Sequence, residues 1–333
     1  MNIGLIGFGY WGTNLARNFA AIDGVKLKSI ADNRPERKIV SLKNHPSVNF
    51  TSDADEILND PEIDAVVIAT PVFTHFKLAK KALGNDKHVL VEKPMTSGKN
   101  EAEILIELAA SKNKVLMVDH TFLYTGAVKK MKSLIDSGEI GNVKYLDSTR
   151  INLGLFQPDV NVLWDLAPHD ISILNYLIKE KPVSVNASGI SHTNNGIENI
   201  AYITVNYNSG FIAHFSCSWT SPVKIRMMLV GGDKKMIVFN DVEPTEKIKV
   251  YDTGYEVHND EDKKNILIDY RAGDIYTPKL DTSEALKGMA NDFISAVKNG
   301  TKPLSDFESG IEVIRILEAS QKSIKNKCME VLI

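Results

Sequence analysis

The chain has 333 residues, 43% of them hydrophobic and 24% charged, with a formal net charge of −3. A length of this order predicts two domains, each with enough apolar material for a core that needs no metal or disulfide staple. The balanced charge, with no long run of Lys or Arg, excludes an electrostatic nucleic-acid groove, and no apolar run approaches the ~18 residues of a membrane span. The two cysteines, Cys217 and Cys328, make no disulfide framework and fit a reducing compartment. No basic stretch leads into an apolar one at the start of the sequence, so a cytoplasmic location is expected.

Through the first 120 residues, short apolar runs alternate with helical periodicity. Strands are predicted at 2–6, 25–31, 48–51, 65–70, 88–92 and 115–119, and helices at 12–21, 35–41, 53–59, 74–83 and 99–113. Such alternation means βαβ units around a mostly parallel sheet. The run Ala65-Val66-Val67-Ile68-Ala69 is apolar on both faces, as a central parallel strand requires. Gly84 is expected just past its helix, in a left-handed position.

Beyond residue 120 the pattern changes. A helix is predicted at 126–137, stopped by Gly138 and Gly141, then a strand at 143–152 and a helix at 165–178. After Pro182 the chain turns strand-rich. Strands at 199–207 and 211–219 flank the hairpin signal Asn208-Ser209-Gly210, and Phe211, Ala213, Phe215, Cys217 and Trp219 share one face. Further strands fit 224–230, 235–241, 247–251 and 266–270, with the charged run 258–264 as a solvated hairpin tip. Helices at 283–299 and 308–326 close the chain. The strand-rich part reads as a large, mostly antiparallel sheet with one packed face.

The segment Gly7-Phe8-Gly9-Tyr10-Trp11-Gly12 directly follows an apolar strand and opens a helix, and an acidic residue, Asp32, lies about 20 residues further on. Together these are the fingerprint of a dinucleotide-binding Rossmann unit. Gly7 permits the tight turn, Gly9 lets backbone approach a pyrophosphate, and Gly12 lets helix and strand pack closely. The helix N-terminus presents free N–H groups to the phosphates. Asp32, with Asn33 beside it, is expected at the adenine ribose, where its carboxylate accepts from both hydroxyls and repels a 2′-phosphate. NAD is therefore favoured over NADP, although Arg34 close by softens that preference. The fold class expected is an α/β Rossmann domain over 1–120 and an α+β domain over 121–333, with the terminal helices free to pack back on the first domain.

The predicted strand at 88–92 ends in Glu92-Lys93-Pro94. Ligands of open α/β sheets sit beyond the carboxyl ends of the strands, so Lys93 is aimed at the crevice expected to hold nicotinamide. Taken alone, a surface lysine before a proline turn is the competing reading. These residues, with Ala69-Thr70-Pro71 and His75, resemble the Gfo/Idh/MocA family of oxidoreductases, named for glucose–fructose oxidoreductase and inositol dehydrogenase. The resemblance continues at Asp165-Leu166-Ala167-Pro168-His169-Asp170 and through 283–333, so it spans nearly the whole chain.

The resemblance implies that Thr70, Pro71, His75, Glu92 and Lys93 join the glycine loop in holding the cofactor. It also implies that Lys93 lies between nicotinamide and substrate, with a Lys93–Pro94 bond that is often cis. Lys93, Asp165 and His169 become the expected catalytic trio. In oxidation of a secondary alcohol, His169 takes the hydroxyl proton, Asp165 orients the imidazole or binds a neighbouring hydroxyl, and Lys93 stabilises the alkoxide or relays the proton. No His/Cys cluster with metal-ligand spacing appears, and none is required. Two departures from the family pattern stand out. Ala167-Pro168 replaces a common glycine two residues before the histidine, which suits a helix beginning there with Asp165 just ahead of it. The segment Asp119-His120-Thr121-Phe122-Leu123-Tyr124 also lacks the arginine many relatives carry.

The substrate is expected to enter between the domains and to contact Tyr124, Arg150 and Asn152 as well as the trio, with packing or surface roles as the competing reading for these three. The stretch from Arg150 to Phe156 resembles relatives in nucleotide-sugar pathways, so a nucleotide sugar is favoured over a free sugar or an inositol. A non-catalytic NAD-binding regulator and an NAD-using glycosidase are the competing classes. Similar proteins pair through the sheet, and an apolar outward face is costly in a monomer, so a homodimer or homotetramer is expected.

Overall fold

A computed structural model describes all residues but 155–156, 158–159, 194–195, 253 and 257–268. The chain divides into two compact units, Met1–Tyr124 with Ser283–Arg315, and Thr125–Thr282 with Ile316–Ile333.

In the first unit, six parallel strands are ordered β3-β2-β1-β4-β5-β6: β1 (Asn2–Ile6), β2 (Lys26–Ala31), β3 (Asn49–Thr51), β4 (Ala65–Ile68), β5 (His88–Glu92) and β6 (Leu116–Asp119). They alternate with α1 (Tyr10–Ala20), α2 (Glu36–Asn44), α3 (Ala54–Asn59), α4 (Val72–Gly84) and α5 (Lys99–Ser111). All four residues of β4 are fully buried, because helices cover both faces of a doubly wound sheet. The strand order reverses between β1 and β4, the switch point at which such sheets bind ligands. The later helix α8 (Ala285–Asn299) packs on α1 through Phe19 and Phe293, edge to face at 6.1 Å. Gly84 closes α4 as its last helical residue, and the left-handed backbone falls instead on Asp86, with φ of 60°. A short polar side chain tolerates that conformation.

The second unit begins with α6 (Gly126–Asp136) and carries a nine-stranded sheet. Its centre is β7 (Val143–Leu153), flanked by β10 (Ile212–Ser218) in parallel and by β11 (Thr220–Gly232) in antiparallel register. Beyond β10 lie β9 (Ile200–Asn206), β8 (Ser184–Ile190) and β17 (Val331–Leu332); beyond β11 lie β12 (Met236–Asn240), β13 (Ile248–Tyr251) and β16 (Ile275–Tyr276). All these outer pairings are antiparallel. Helix α7 (Val162–Leu177) packs on β7, β9 and β10, over the inward face that holds Ala213, Phe215 and Cys217. Strand β8 is not anticipated from the sequence: its inward residues include the small Ala187, and polar residues interleave, so the apolar signal is weak. Of the strand predicted at 266–270, residues 266–268 lie outside the described residues, as does the charged run 258–264. Asp269–Arg271 forms β15, paired with β14 (Gly254–Glu256) in a separate ribbon. The last long helix, α9 (Phe307–Lys325), contributes to both units. Among the described residues, no helix is long and apolar enough to cross a membrane.

Candidate active site

The loop after β1 is shaped by contacts that only glycine permits. Gly7 has φ of +94°, and a Cβ there would lie 2.4 Å from the Ala69 carbonyl oxygen; at Gly12 it would lie 1.9 Å from the Gly7 carbonyl. Either clash is with backbone, so neither position accepts a side chain. Gly9 differs: a Cβ there would meet only Arg34 Nη2, at 3.6 Å, so the loop is open on that side. Helix α1 starts at Tyr10, two residues earlier than predicted, with Gly9 as its cap. It has no side-chain cap and no acidic residue in its first turn. Its leading N–H groups are thus available to an anion, which suits a pyrophosphate. Tyr10 and Trp11 are exposed and stack edge to face at 5.1 Å.

Asp32, 6% exposed, follows β2 and is fully engaged. Its Oδ2 accepts from the Phe8 N–H at 2.7 Å and from Arg34 Nη2 at 2.7 Å; its Oδ1 accepts from the Arg34 N–H at 3.0 Å and Nε at 2.9 Å. Burial works to raise this carboxyl, but the Arg34 and backbone hydrogen bonds prevail and hold it below the usual range. Asn33 is exposed beside it.

At the end of β5 the Lys93–Pro94 peptide is cis, and Lys93 is part-exposed. The turn is held from below by His75 of α4. That ring is fully buried, with Nδ1 2.9 Å from the Pro94 carbonyl and Nε2 2.8 Å from the Thr70 carbonyl. His75, expected among the cofactor-binding residues, sits with both nitrogens against backbone carbonyls and braces the loops around Thr70 and Lys93. Thr70 and Pro71 border the switch point, with Thr70 Oγ1 2.6 Å from Thr74 Oγ1. Glu92, the last residue of β5, accepts from the Lys93 N–H at 3.2 Å and is paired in register with Asp119 on β6. Burial, then the neighbouring Asp119 charge, pushes Glu92 well above the usual carboxyl range. His120 is 1% exposed, and neither ring nitrogen has a hydrogen-bond partner; burial, then the Lys93 charge, pushes it down to about 3.

In the second unit, the site helix begins three residues earlier than predicted. Asn161 caps α7, accepting from the Trp164 N–H at 3.1 Å, so Asp165 lies in the first turn and Pro168 lies inside the helix. Proline costs the helix its bond to the Trp164 carbonyl one turn back. Asp165 and His169, four apart, share a helical face, and both are part-exposed. Asp165 Oδ2 accepts from Trp219 Nε1 at 3.0 Å. Asp170, the residue after His169, points inward and takes Arg150 Nε at 3.0 Å and Nη2 at 2.5 Å.

Two residues expected at a substrate are buried and engaged by protein partners. Arg150 is buried, 3% exposed, and bidentate on Asp170; it anchors the helix that carries His169. Tyr124 is 4% exposed, and its hydroxyl is 2.7 Å from Asp292 and 3.1 Å from Ser305, a packing role within the first unit. Asn152 stays part-exposed near the end of β7. Lys93 belongs to one unit, Asp165 and His169 to the other. Sequence reading did not foresee Trp219, Asp119 or His120. Trp219 reads as core by strand alternation; Asp119 is recognisable as the neighbour of Glu92 only once the strand order is known. Among the described residues, no group of three or more His, Cys, Asp or Glu is disposed to hold a metal ion.

Residues 1–120 match the model of the oxidoreductase family with an NAD-binding Rossmann fold, and residues 128–238 match the GFO/IDH/MocA C-terminal domain. The chain is 31% identical to the UDP-N-acetylglucosamine 3-dehydrogenase of Acidithiobacillus ferrooxidans over 66% of its own length and 67% of that protein. A solved structure of that enzyme covers 99% of each chain with a TM-score of 0.82 at 24% identity. It is 25% identical to the myo-inositol 2-dehydrogenase of Thermotoga maritima over 98% of this chain and 97% of the other. The match to the uncharacterized oxidoreductase YdgJ of Escherichia coli, 36% identical, spans 51% of each chain.

Proposed function

Since the chain belongs to the Gfo/Idh/MocA family of NAD-binding oxidoreductases, we propose that it moves a hydride between nicotinamide and a secondary hydroxyl carbon of a sugar, and that Lys93, Asp165 and His169 serve this one reaction. The observation that carries the reading is the pair on α7: an imidazole and a carboxylate one turn apart, both part-exposed, with the carboxylate fixed by an indole N–H.

Gly7, Gly9, Gly12 and the free N–H groups of α1 would hold the pyrophosphate, and Asp32 the adenine ribose. When bound, the nicotinamide supplies the hydride acceptor. In the oxidative direction His169 accepts the hydroxyl proton while the Lys93 ammonium stabilises the negative charge growing on that oxygen. Asp165 holds and balances the imidazolium. In the reverse direction His169 returns the proton. NAD is the favoured cofactor, because Asp32 is pinned by the Phe8 N–H at the place where a 2′-phosphate would be repelled. Arg34 lies over the same carboxylate, and gives a weaker acceptance of NADP.

A nucleotide sugar is the favoured substrate, on the likeness to an enzyme named for UDP-N-acetylglucosamine; an inositol is the second reading, on the likeness to one named for myo-inositol. Asn152 is the remaining candidate for a substrate hydroxyl. The experiment is a panel: purified protein with NAD or NADP against UDP-sugars, free aldoses and inositols, followed by absorbance of the reduced nicotinamide. Reduction with a UDP-sugar alone supports the favoured reading, and reduction with inositols alone replaces it with the second. Sugar hydrolysis without net reduction would point to a glycosidase, and no turnover with retained NAD binding to a regulator.

The outward face of the nine-stranded sheet presents Tyr145, Tyr202, Ile212 and Met227, each at least 36% exposed. Burial of this face between two or four copies is the favoured assembly, since these large apolar side chains gain by leaving water. Sedimentation at micromolar concentration tests it; a monomer would contradict it.

A further inference from the structure

The inward face of the nine-stranded sheet carries a second arginine that no step of the proposed reaction uses. Arg226 of β11 is the register partner of Arg150 on β7, with about 5 Å between the two Cα atoms. Register partners share a face, and the alternation along β11 agrees, since Met228 and Val230 beyond Arg226 are buried. Arg150 grips Asp170, the residue after His169, so this row of the sheet runs beneath the turn of α7 that carries His169. The Arg150 side chain is covered, at 4% exposed, whereas that of Arg226 is 33% exposed. All these residues belong to the second unit.

Like charges directly opposite on neighbouring strands repel, and local conflicts of this kind collect at functional sites. Arg150 meets its acid through the Nε–Nη2 edge, the fork that matches a carboxylate or phosphoryl group. Arg226 does not. Its acid is Asp241, just past β12, reached by Nη1 alone at 3.3 Å. Asp241 also takes Lys247 Nζ, at 3.2 Å on the same carboxylate and 2.6 Å on its carbonyl. The Nε–Nη2 edge of Arg226 is unused among the described residues, and its Nε is buried with no hydrogen-bond partner. A buried donor without an acceptor calls for an explanation, and a ligand on this edge supplies one. With a third of its surface open, the side chain can turn that edge outward. Lys224, two residues back along β11, is exposed, and its ammonium has no acid partner among the described residues. Two cations with spare donors on one strand suit an anion of more than one charge.

We propose that Arg226 receives the phosphoryl oxygens of the substrate on its Nε–Nη2 edge, with Lys224 as a second contact, and so selects a sugar that carries a diphosphate over one that carries none. Its meaning for substrate choice rests on the reading of Asp165 and His169 given above; the anion site itself does not.

The test uses the full chain with NAD saturating, so that the glycine loop is occupied, and UDP as the probe. Phenylglyoxal modification of the unaltered protein, read peptide by peptide in a mass spectrometer, is expected to slow at Arg226 when UDP is added, and not with uridine or glucuronate. In calorimetry Arg226→Met is expected to weaken UDP binding by about tenfold or more, the worth of a charge-assisted bond. Arg226→Lys recovers only part of this, because an ammonium lacks the fork. Absence of UDP binding, equal protection by uridine, protection by glucuronate but not by UDP, or unchanged UDP affinity in Arg226→Met overturns the proposal. The protection arm needs no variant, so it stands even where Arg226→Met fails to fold. A protein that reduces NAD with inositol and does not bind UDP keeps the dehydrogenase reading and loses this one. Arg226-dependent UDP binding with near-normal turnover in His169→Ala does the reverse.

Discussion

Trp219 Nε1 donates to Asp165 Oδ2 at 3.0 Å, so the carboxylate one turn from His169 is held by a side chain that is itself 1% exposed. Sequence alternation accounts for the burial of Trp219 but not for its hydrogen bond. A buried indole rarely leaves its N–H without a partner. Trp219→Phe keeps the packing and removes the donor. The expected loss is about 1.5–3 kcal/mol of interaction with the carboxylate, or roughly 10-fold or more in turnover. Dinucleotide affinity stays unchanged. Steady-state kinetics with a binding titration checks this, and an undiminished kcat would remove Asp165 from the reaction.

The Arg150–Asp170 pair allows a structural role for Arg150 to be separated from a substrate-binding one. Both side chains are about 95% buried and share three hydrogen bonds. Arg150→Met leaves Asp170 as an unpaired buried charge and is expected to destabilise the protein by about 3–5 kcal/mol. Arg150→Met with Asp170→Leu is expected to regain much of that loss, since the uncompensated charge is gone. Urea unfolding of both variants decides it. A folded, stable Arg150→Met protein with only a raised KM would restore a substrate role.

Acid should weaken the fold below neutral pH. His88 Nδ1 accepts from the Val115 N–H at 3.0 Å, and burial, then Lys114, pushes this imidazole down to about 4. His120 is pushed down to about 3, and His75 is lowered by burial. Each is neutral when folded and protonates near pH ~6.5 when unfolded. Their stabilising contribution is full above about pH 6.5 and is lost as pH falls towards the folded values, by at most about 1.4 kcal/mol per pH unit per ring. The Glu92–Asp119 acids have the opposite sign, being raised, and offset part of the slope at the acid end. Urea midpoints measured between pH 7 and about pH 4.5 should fall, and His88→Gln should flatten the curve by about one ring's share. A flat wild-type profile would contradict the neutral, buried imidazoles.

Cofactor choice turns on Asp32 and Arg34. With four hydrogen bonds to its two oxygens, Asp32 must release an Arg34 contact to accept a ribose diol. Arg34→Ala removes that competition and the cation facing a 2′-phosphate. It should raise the ratio of kcat/KM for NAD over NADP by about tenfold, the worth of one charged hydrogen bond. Asp32→Ala should move the ratio the other way. A ratio that Arg34→Ala leaves unchanged would show that the guanidinium does not reach the cofactor.

Much of this was legible in the residues themselves. The parallel sheet shows because β1, β4 and β5 are apolar on both faces, and the glycine loop shows because turn, approach and packing each demand glycine at fixed spacing. Lys93 shows because a charged residue at the end of a buried strand has few places to go. What escaped depends on partners distant in sequence: Trp219 on Asp165, Arg150 on Asp170, Tyr124 on Asp292, and Asp119 in register with Glu92. The start of α7 escaped for a local reason, since Pro168 reads as a helix start, while Asn161 caps the helix seven residues before it.

The measurement that tests the central claim most directly separates binding from turnover in Lys93→Ala and His169→Ala. With a sugar substrate that the panel identifies, both variants are predicted to bind dinucleotide as the unaltered protein does, and to lose turnover by at least about a hundredfold, the worth of a proton acceptor or a fixed cation at a developing charge. Near-normal turnover in either variant would contradict the account.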